Sequence, residues 1–271
     1  MREAVIVIPA RYASTRYPAK PLAKLKGATG IARSLLERSV MAGRAAAVAT
    51  RGVTGLYVAT DDERIADEAR RIGVEVIMTA PECANGTERV AEAVVNAGLT
   101  QPIVVNLQGD APLTPAWFIE DLVAGLRADR DADLATPVLQ TSGRMRADLL
   151  ADRAAGRVGG TTAVFGAARQ GLYFSKEVIP FAGRDFGPDE ITPVFHHVGV
   201  YAYRPAVLAA YPTWPEGTLE KLEGLEQLRF LENGRRILCV EVEARGRQFW
   251  ELNNPEDIPR IESMLAEMGE A

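Results

Sequence analysis

The sequence predicts an α/β fold: a mostly parallel β-sheet with helices on both faces. Three observations carry this. Strand-like and helix-like segments alternate five times over residues 1–138. The first strand, Ala4-Val5-Ile6-Val7-Ile8, is apolar at every position, which is the pattern of a strand buried on both faces. The 271 residues are 47% hydrophobic and 25% charged, ordinary globular composition with enough chain for a core that needs no staples.

Each element follows from local signals. Pro9 bounds the first strand, and residues 9–22 form a polar loop with three prolines and three basic residues. Thr29 to Ala42 places Ile31, Leu35, Leu36 and Val40 at helical spacing, with Gly43 as the stop. Residues 45–53 read as a loop or an extension of that helix. Gly55–Thr60 is a second strand, and Asp61 and Asp62 stand at the N-cap and first turn of the next helix. Val74–Met78 is a third strand, and Gly86 opens a helix that runs to Asn96. Ile103–Leu107 is a fourth strand ending in Gln108-Gly109-Asp110, followed by a helix from Thr114 to about Arg127. Leu134–Val138 is a fifth strand.

The second half has a different rhythm. Residues 139–160 are rich in Arg, Ala, Asp and Gly and read as an exposed segment. Thr161–Phe165 and Gly171–Phe174 suit a hairpin, and His197–Tyr203 another strand. Leu219–Leu231 reads as one helix and Ile237–Val242 as a strand. Pro255–Met268 is a closing helix with proline in its first turn. There is no internal repeat.

Charge and cysteine usage narrow the function. A net charge of −5 lacks the basic footprint of a nucleic-acid binder. Two cysteines without a CxxC build neither a disulfide framework nor a zinc site, which points to a reducing compartment. The apolar run before Arg11 is too short for a signal peptide or a membrane span, so the expectation is a cytoplasmic protein with no membrane partner.

In parallel sheets ligands bind beyond the carboxyl ends of the strands, so the loops after the first and fourth strands are the places for chemistry. The first carries Arg11, Arg16 and Lys20 with Ser14 and Thr15 between them. It reads equally as a phosphate cradle or a solvated connector, because it lacks GxxxxGK[ST] spacing. Asp110, at the end of VVNLQGD, suits a hard cation such as Mg²⁺, although its position alone slightly favours a turn or N-cap residue ahead of Pro112. Asn254 suits a cap for the helix that Pro255 begins, and Asn253 can present an oxygen to the same metal as Asp110. His196 and His197 form no metal triad with anything nearby in sequence.

Together these motifs resemble the 3-deoxy-manno-octulosonate (Kdo) cytidylyltransferase family, the CMP-Kdo synthetases. The strongest stretch is IPARYASTRYPAKPL, residues 8–22. In order follow Tyr57-Val58-Ala59-Thr60-Asp61, Gly86-Thr87-Glu88-Arg89 and Asn106-Leu107-Gln108-Gly109-Asp110. Then come Leu172-Tyr173-Phe174-Ser175, His197-Val198-Gly199-Val200-Tyr201, Leu225-Glu226-Gln227-Leu228-Arg229 and Asn254-Pro255-Glu256-Asp257. The resemblance implies a Rossmann-like nucleotidyltransferase fold in one domain, residues 1–271, with a smaller α+β part. Residues 1–138 would be the nucleotide-binding half and 139–271 the acceptor-binding and dimerisation half. It implies a homodimer that transfers CMP from CTP to an acidic acceptor, with Mg²⁺. Arg11, Lys20 and Asp110 would be catalytic. Arg11, Ser14, Arg16, Lys20 and Gln108 would bind CTP. Arg89, Gln108, Ser175, Lys176, His197, Tyr201, Glu226 and Gln227 would face the acceptor, and Asp110 and Asn253 would hold the metal.

The departures cluster away from the triphosphate loop. The family's second metal Asp, in DTPED, is Asn253 here, and QGDEP becomes QGDAP with Ala111. YFSR ends in Lys176, which lacks the arginine fork, and the family's NPNxVKV has no clear counterpart over residues 157–163. Three readings follow: an enzyme for Kdo or a variant of it, one for a small phosphonate such as phosphonoformate, and an inactive CTP-binding homologue. Retention of His197, Tyr201, Glu226 and Gln227 favours Kdo. A dinucleotide-dependent dehydrogenase is disfavoured because no GxGxxG follows the first strand.

Overall fold

The computed structural model describes residues 3–13, 17–110, 112–157, 160–247, 250, 252 and 254–270. Its centre is β1 (Ala4–Pro9), all six residues of which are buried. Ile6 and Ile8 join one apolar layer with Leu36, Val40, Phe118 and Leu122. Val5 and Val7 join the opposite layer with Val90, Tyr203, Tyr211 and Phe230. The unbroken apolar run is thus explained: both faces of this strand are covered.

Around β1 the first half is parallel. On one side lie β4 (Val53–Thr60) and then β5 (Glu75–Met78); on the other lies β6 (Ile103–Leu107). The connecting helices are α1 (Leu35–Ala49), α2 (Glu63–Arg71) and α3 (Gly86–Asn96), with α4 (Ala116–Ala128) following β6. The second half adds mostly antiparallel strands. β7 (Leu134–Ser142) pairs antiparallel with β10 (Ile191–His197) and β11 (Val200–Tyr203), and parallel with β12 (Ile237–Glu241). β8 (Thr161–Phe165) and β9 (Gly171–Ser175) form the expected hairpin. Among the described residues these ten strands form one mixed sheet that continues across residue 138. A separate two-stranded hairpin, β2 (Lys24–Lys26) with β3 (Ala32–Ser34), packs its Leu25 against the closing helix α9 (Ile258–Glu267) through Ile261 and Leu265.

Five expectations are corrected. The helix expected over residues 29–42 begins at Leu35 and runs to Ala49, because residues 32–34 pair in the hairpin and the Ser34 hydroxyl caps the Glu37 amide at 3.0 Å. Gly43 does not stop it; it is buried mid-helix, where a methyl group would come within 2.9 Å of Leu56. Residues 139–160 are not an exposed segment throughout. Leu139–Ser142 complete β7, the Ser142 hydroxyl caps Met145, and α5 (Gly143–Ala154) follows with Leu149 buried.

The strand expected over His197–Tyr203 is broken instead. His197 pairs with Val138 but Ala202 pairs with Ala135, so the chain slips between them and the sheet forks. β11 then meets β6, and β10 meets β8. The helix expected over Leu219–Leu231 is divided into α7 (Thr218–Glu223) and α8 (Gln227–Glu232). Gly224 between them has φ +60, a left-handed cap that ends the first helix. α6 (Pro205–Ala210) completes the helical set.

Candidate active site

The carboxyl ends of β1 and β6 lie side by side. Gly109 is required there: a methyl group on it would meet the Pro9 carbonyl at 2.8 Å. The Ser39 hydroxyl of α1 holds the Gly109 carbonyl at 3.0 Å, and the Leu252 amide donates to the Asp110 carbonyl at 3.0 Å. Asp110 is therefore fixed by three separate chain segments at a strand end.

Lys20 reaches it. After the β1 loop, the Ala19 amide donates to the Tyr12 carbonyl at 3.0 Å, and Ala19 turns at φ 57. A short 3-10 turn over Lys20–Leu22 follows, with Pro21 buried. This returns the Lys20 ammonium to the Asp110 carboxylate at 2.7 Å, with both side chains partly exposed. Arg11, exposed in the same loop, donates to the Ala84 carbonyl at 3.3 Å, so the loop touches the approach to α3. The Gln108 carboxamide packs against Gly86, where a methyl group would come within 2.9 Å of it. Arg11, Lys20, Gln108 and Asp110 are brought together. Ser14, Arg16 and Asn253 lie outside the described residues.

The α3 N-terminus forms the adjoining wall. Its free amides attract an anion, and Glu226 supplies one. The Glu226 carboxylate accepts from the Gly86 and Thr87 amides at 3.3 and 3.0 Å and from the Thr87 hydroxyl at 2.6 Å. Burial pushes the Glu226 carboxyl up, and the nearby Asp110 charge adds to this, while the donors from Thr87 and Gly86 pull it down. Arg89, one turn further on, is 2% exposed and committed to the Thr79 hydroxyl at 2.5 Å and to Asp61 at 3.3 Å. It braces β4 and β5 against α3, a role its sequence position does not disclose.

The remaining candidates gather on the same side of the sheet. Tyr201 pairs across the strands with Asn106, two residues before Gln108, and its hydroxyl donates to Gln227 Oε1 at 3.0 Å. Gln227 is buried, and its Nε2 has no hydrogen-bond partner among the described residues. His197 packs edge-on to Phe174 at 5.0 Å and lies 5.6 Å from the Tyr201 ring. The Thr136 hydroxyl lies 2.9 Å from the Val200 carbonyl and 2.8 Å from His197 Nε2. Having one hydrogen, it donates to the carbonyl, so Nε2 carries the ring proton. Ser175 and Lys176 are tied to Glu223: the Ser175 hydroxyl donates at 2.6 Å and the Lys176 amide at 2.9 Å. Glu223, Asp61 and Thr136 are partners that residue-by-residue reading missed; Glu223 carries a faint signal in its spacing from Glu226 across Gly224.

Burial pushes the His197 imidazole down to about 3, with His196 adding to this, and His196 down to about 4. Both lie below the ordinary value of 6.5, so at lower pH the unfolded chain takes up protons that the folded chain refuses. This contribution to stability is complete above pH 6.5 and is expected to fade as pH drops toward 4, read as a falling melting temperature. A His196→Asn variant is expected to lose part of that slope. Burial also pushes Cys83 and Cys239 up to about 12, so neither is a nucleophile at neutral pH.

The donor set bears on a metal. Among the described residues no group of three or more His, Cys, Asp or Glu is placed to hold an ion. Magnesium needs no such cage; one carboxylate with substrate phosphates suffices, and Asp110 fits that requirement. No helix among the described residues is long and apolar enough to cross a membrane.

Comparison with known proteins converges with this geometry. The cytidylyltransferase family matches residues 5–237. The chain is 44% identical over 264 residues to 3-deoxy-manno-octulosonate cytidylyltransferase of Maricaulis maris, covering 97% of each. It is 39% identical over 262 residues to 8-amino-3,8-dideoxy-manno-octulosonate cytidylyltransferase of Shewanella amazonensis, covering 96% of this chain and 97% of the relative. Among solved structures it is similar to CMP:2-keto-3-deoxy-manno-octonic acid synthetase complexed with CTP. That match has a TM-score of 0.79 and 30% identity, and covers 98% of this chain and 99% of the other.

Proposed function

The chain belongs to the cytidylyltransferase family, and on that premise we propose that it transfers CMP from CTP to 3-deoxy-manno-octulosonate with release of pyrophosphate. The observation that carries this is the Lys20–Asp110 pair at 2.7 Å beside the Arg11 loop. It sets fixed positive charge and a metal-competent carboxylate at the strand ends where a triphosphate binds.

The chemistry is a displacement at the α-phosphorus. An acceptor hydroxyl oxygen forms the new P–O bond, the bond to the β-phosphate oxygen breaks, pyrophosphate leaves with the electron pair, and the proton passes to solvent. Such a reaction needs positioning and charge neutralisation more than a covalent nucleophile. Lys20 and Arg11 bind the triphosphate and offset its developing charge. Asp110, together with phosphate oxygens, would hold Mg²⁺. When bound, the ion neutralises phosphate charge and makes the hydroxyl more acidic. His197, neutral at physiological pH, orients rather than supplies charge. Tyr201 and Gln227 offer hydrogen-bonding groups to the acceptor, with Gln227 Nε2 as a ready donor. Glu226 shapes the same wall by holding the end of α3. In this reading the enzyme is a cytoplasmic homodimer, and light scattering is expected to give twice the 29.3 kDa chain mass.

Pyrophosphate release with CTP and Mg²⁺ tests the proposal across Kdo, 8-amino-Kdo and phosphonoformate. Turnover is expected with Kdo. Turnover only with the amino sugar would move the acceptor to the chemistry named for the Shewanella relative. Turnover only with the phosphonate, or none with CTP still bound, would overturn the sugar-acid reading.

A further inference from the structure

Four of the acceptor-side candidates come from two distant stretches, Ser175 and Lys176 in one and Glu226 and Gln227 in the other, and one side chain joins them. Glu223, at the end of α7, takes three donors from the end of β9. Its Oε1 accepts from the Ser175 hydroxyl at 2.6 Å and the Tyr173 hydroxyl at 3.3 Å, and its Oε2 accepts from the Lys176 amide at 2.9 Å. Ser175 in turn accepts from the Glu177 amide at 3.0 Å, so its hydroxyl hydrogen is directed at Glu223. Three residues later the same segment presents Glu226, which holds α3, and then Gln227, which holds Tyr201.

Gly224 makes this connection possible. Its left-handed φ of +60 turns the chain out of α7, and a methyl group there would come within 3.0 Å of the Lys176 ammonium. The Lys176 side chain therefore lies over the turn between Glu223 and Glu226. A carboxylate whose two oxygens are both occupied by the end of one strand leaves that end little freedom.

We propose that Glu223 is a positioning residue for the acceptor: it locks Ser175 and Lys176 into register with Glu226 and Gln227, so that both halves of the acceptor wall move as one. The inference rests on the sugar-acid reading above. Glu223 itself makes its hydrogen bonds to Tyr173, Ser175 and Lys176 rather than to the triphosphate residues Arg11 and Lys20, so its effect is expected to separate acceptor from nucleotide. Glu223→Gln is nearly the same size, but its amide nitrogen opposes either the Ser175 hydroxyl hydrogen or the Lys176 N–H. Loss of a charge-assisted hydrogen bond at the acceptor wall is expected to raise the KM for Kdo about tenfold. The KM for CTP and the melting temperature are expected to stay close to wild type. Glu223→Asp, which keeps the charge on a shorter arm, is expected to recover part of the loss.

A general brace would behave differently. If Glu223→Gln raises both KM values and lowers the melting temperature together, or if the KM for Kdo does not move, the positioning role is overturned. The wild-type enzyme measured alongside separates the two failures. A wild type inert toward Kdo refutes the acceptor proposed above. A wild type that turns over Kdo, beside a variant with an unshifted acceptor KM, refutes the role of Glu223.

Discussion

Asp110→Asn is expected to lower the rate of pyrophosphate release by on the order of 10²–10³-fold, the effect of removing one fixed electrostatic group from a transition state. The substitution preserves size and leaves the backbone anchors of this strand end, the Leu252 amide and the Ser39 hydroxyl, unchanged. It removes the negative charge that balances the Lys20 ammonium and that would hold magnesium. The Mg²⁺ concentration for half-maximal rate is expected to rise, because the carboxylate is the anionic oxygen donor at this strand end. Steady-state rates over a magnesium titration, with circular dichroism to verify folding, check this. An Asp110→Asn enzyme with wild-type rate and magnesium dependence would remove Asp110 from the mechanism.

The largest stability effect is expected at Arg229, which connects three helices. Its guanidinium binds Glu220 through two nitrogens at 2.6 and 2.8 Å, reaches Glu88 of α3 at 3.0 Å, and lies over the Tyr211 ring at 4.2 Å. Glu220 is only 4% exposed, so Arg229→Met leaves a buried carboxylate without its counter-charge. The expected cost is about 3–5 kcal/mol. Replacing both partners, as Arg229→Met with Glu220→Leu, is expected to restore much of it, since a well-packed apolar pair no longer strands a charge. Urea unfolding of the single and double variants measures both terms. A single variant within about 1 kcal/mol of wild type would show that the network contributes no more than an exposed pair.

The parallel half of the fold was legible because its signals are local. β1 and β6 are apolar at nearly every position, and α3 runs from Gly86 to Asn96 as its pattern predicts. An aspartate caps α2 after the strand as expected, though it is Asp62, one residue later than the Asp61 expected at the cap. The misread elements were those in which a contact between distant residues outweighs periodicity. Ile31 fits a helical stripe yet is exposed, because the next residues pair as a strand with residues 24–26. Gly43 looks like a stop, yet helix continuity is kept by its packing on Leu56. The break between His197 and Val200 is decided by which strands compete for the two edges of the fork, information no window of sequence contains.

The candidate site divides the same way. Sequence alone determined the reaction class, through the family resemblance carried by contiguous strings (the β1 loop, the QGD strand end and the HVGVY and LEQLR motifs), and the same strings named the candidate site residues. Tertiary structure alone decided what each of those residues is committed to. It joins Lys20 to Asp110 across ninety positions, buries Arg89 against Asp61 and Thr79, caps α3 with a carboxylate from α8's threshold, and assigns Glu223 to the end of β9. The physical reason is that residue type sets what a side chain can donate, accept or balance, whereas burial and the choice of partner are set by which strand ends and helix termini the packed sheet brings within about 3 Å of one another.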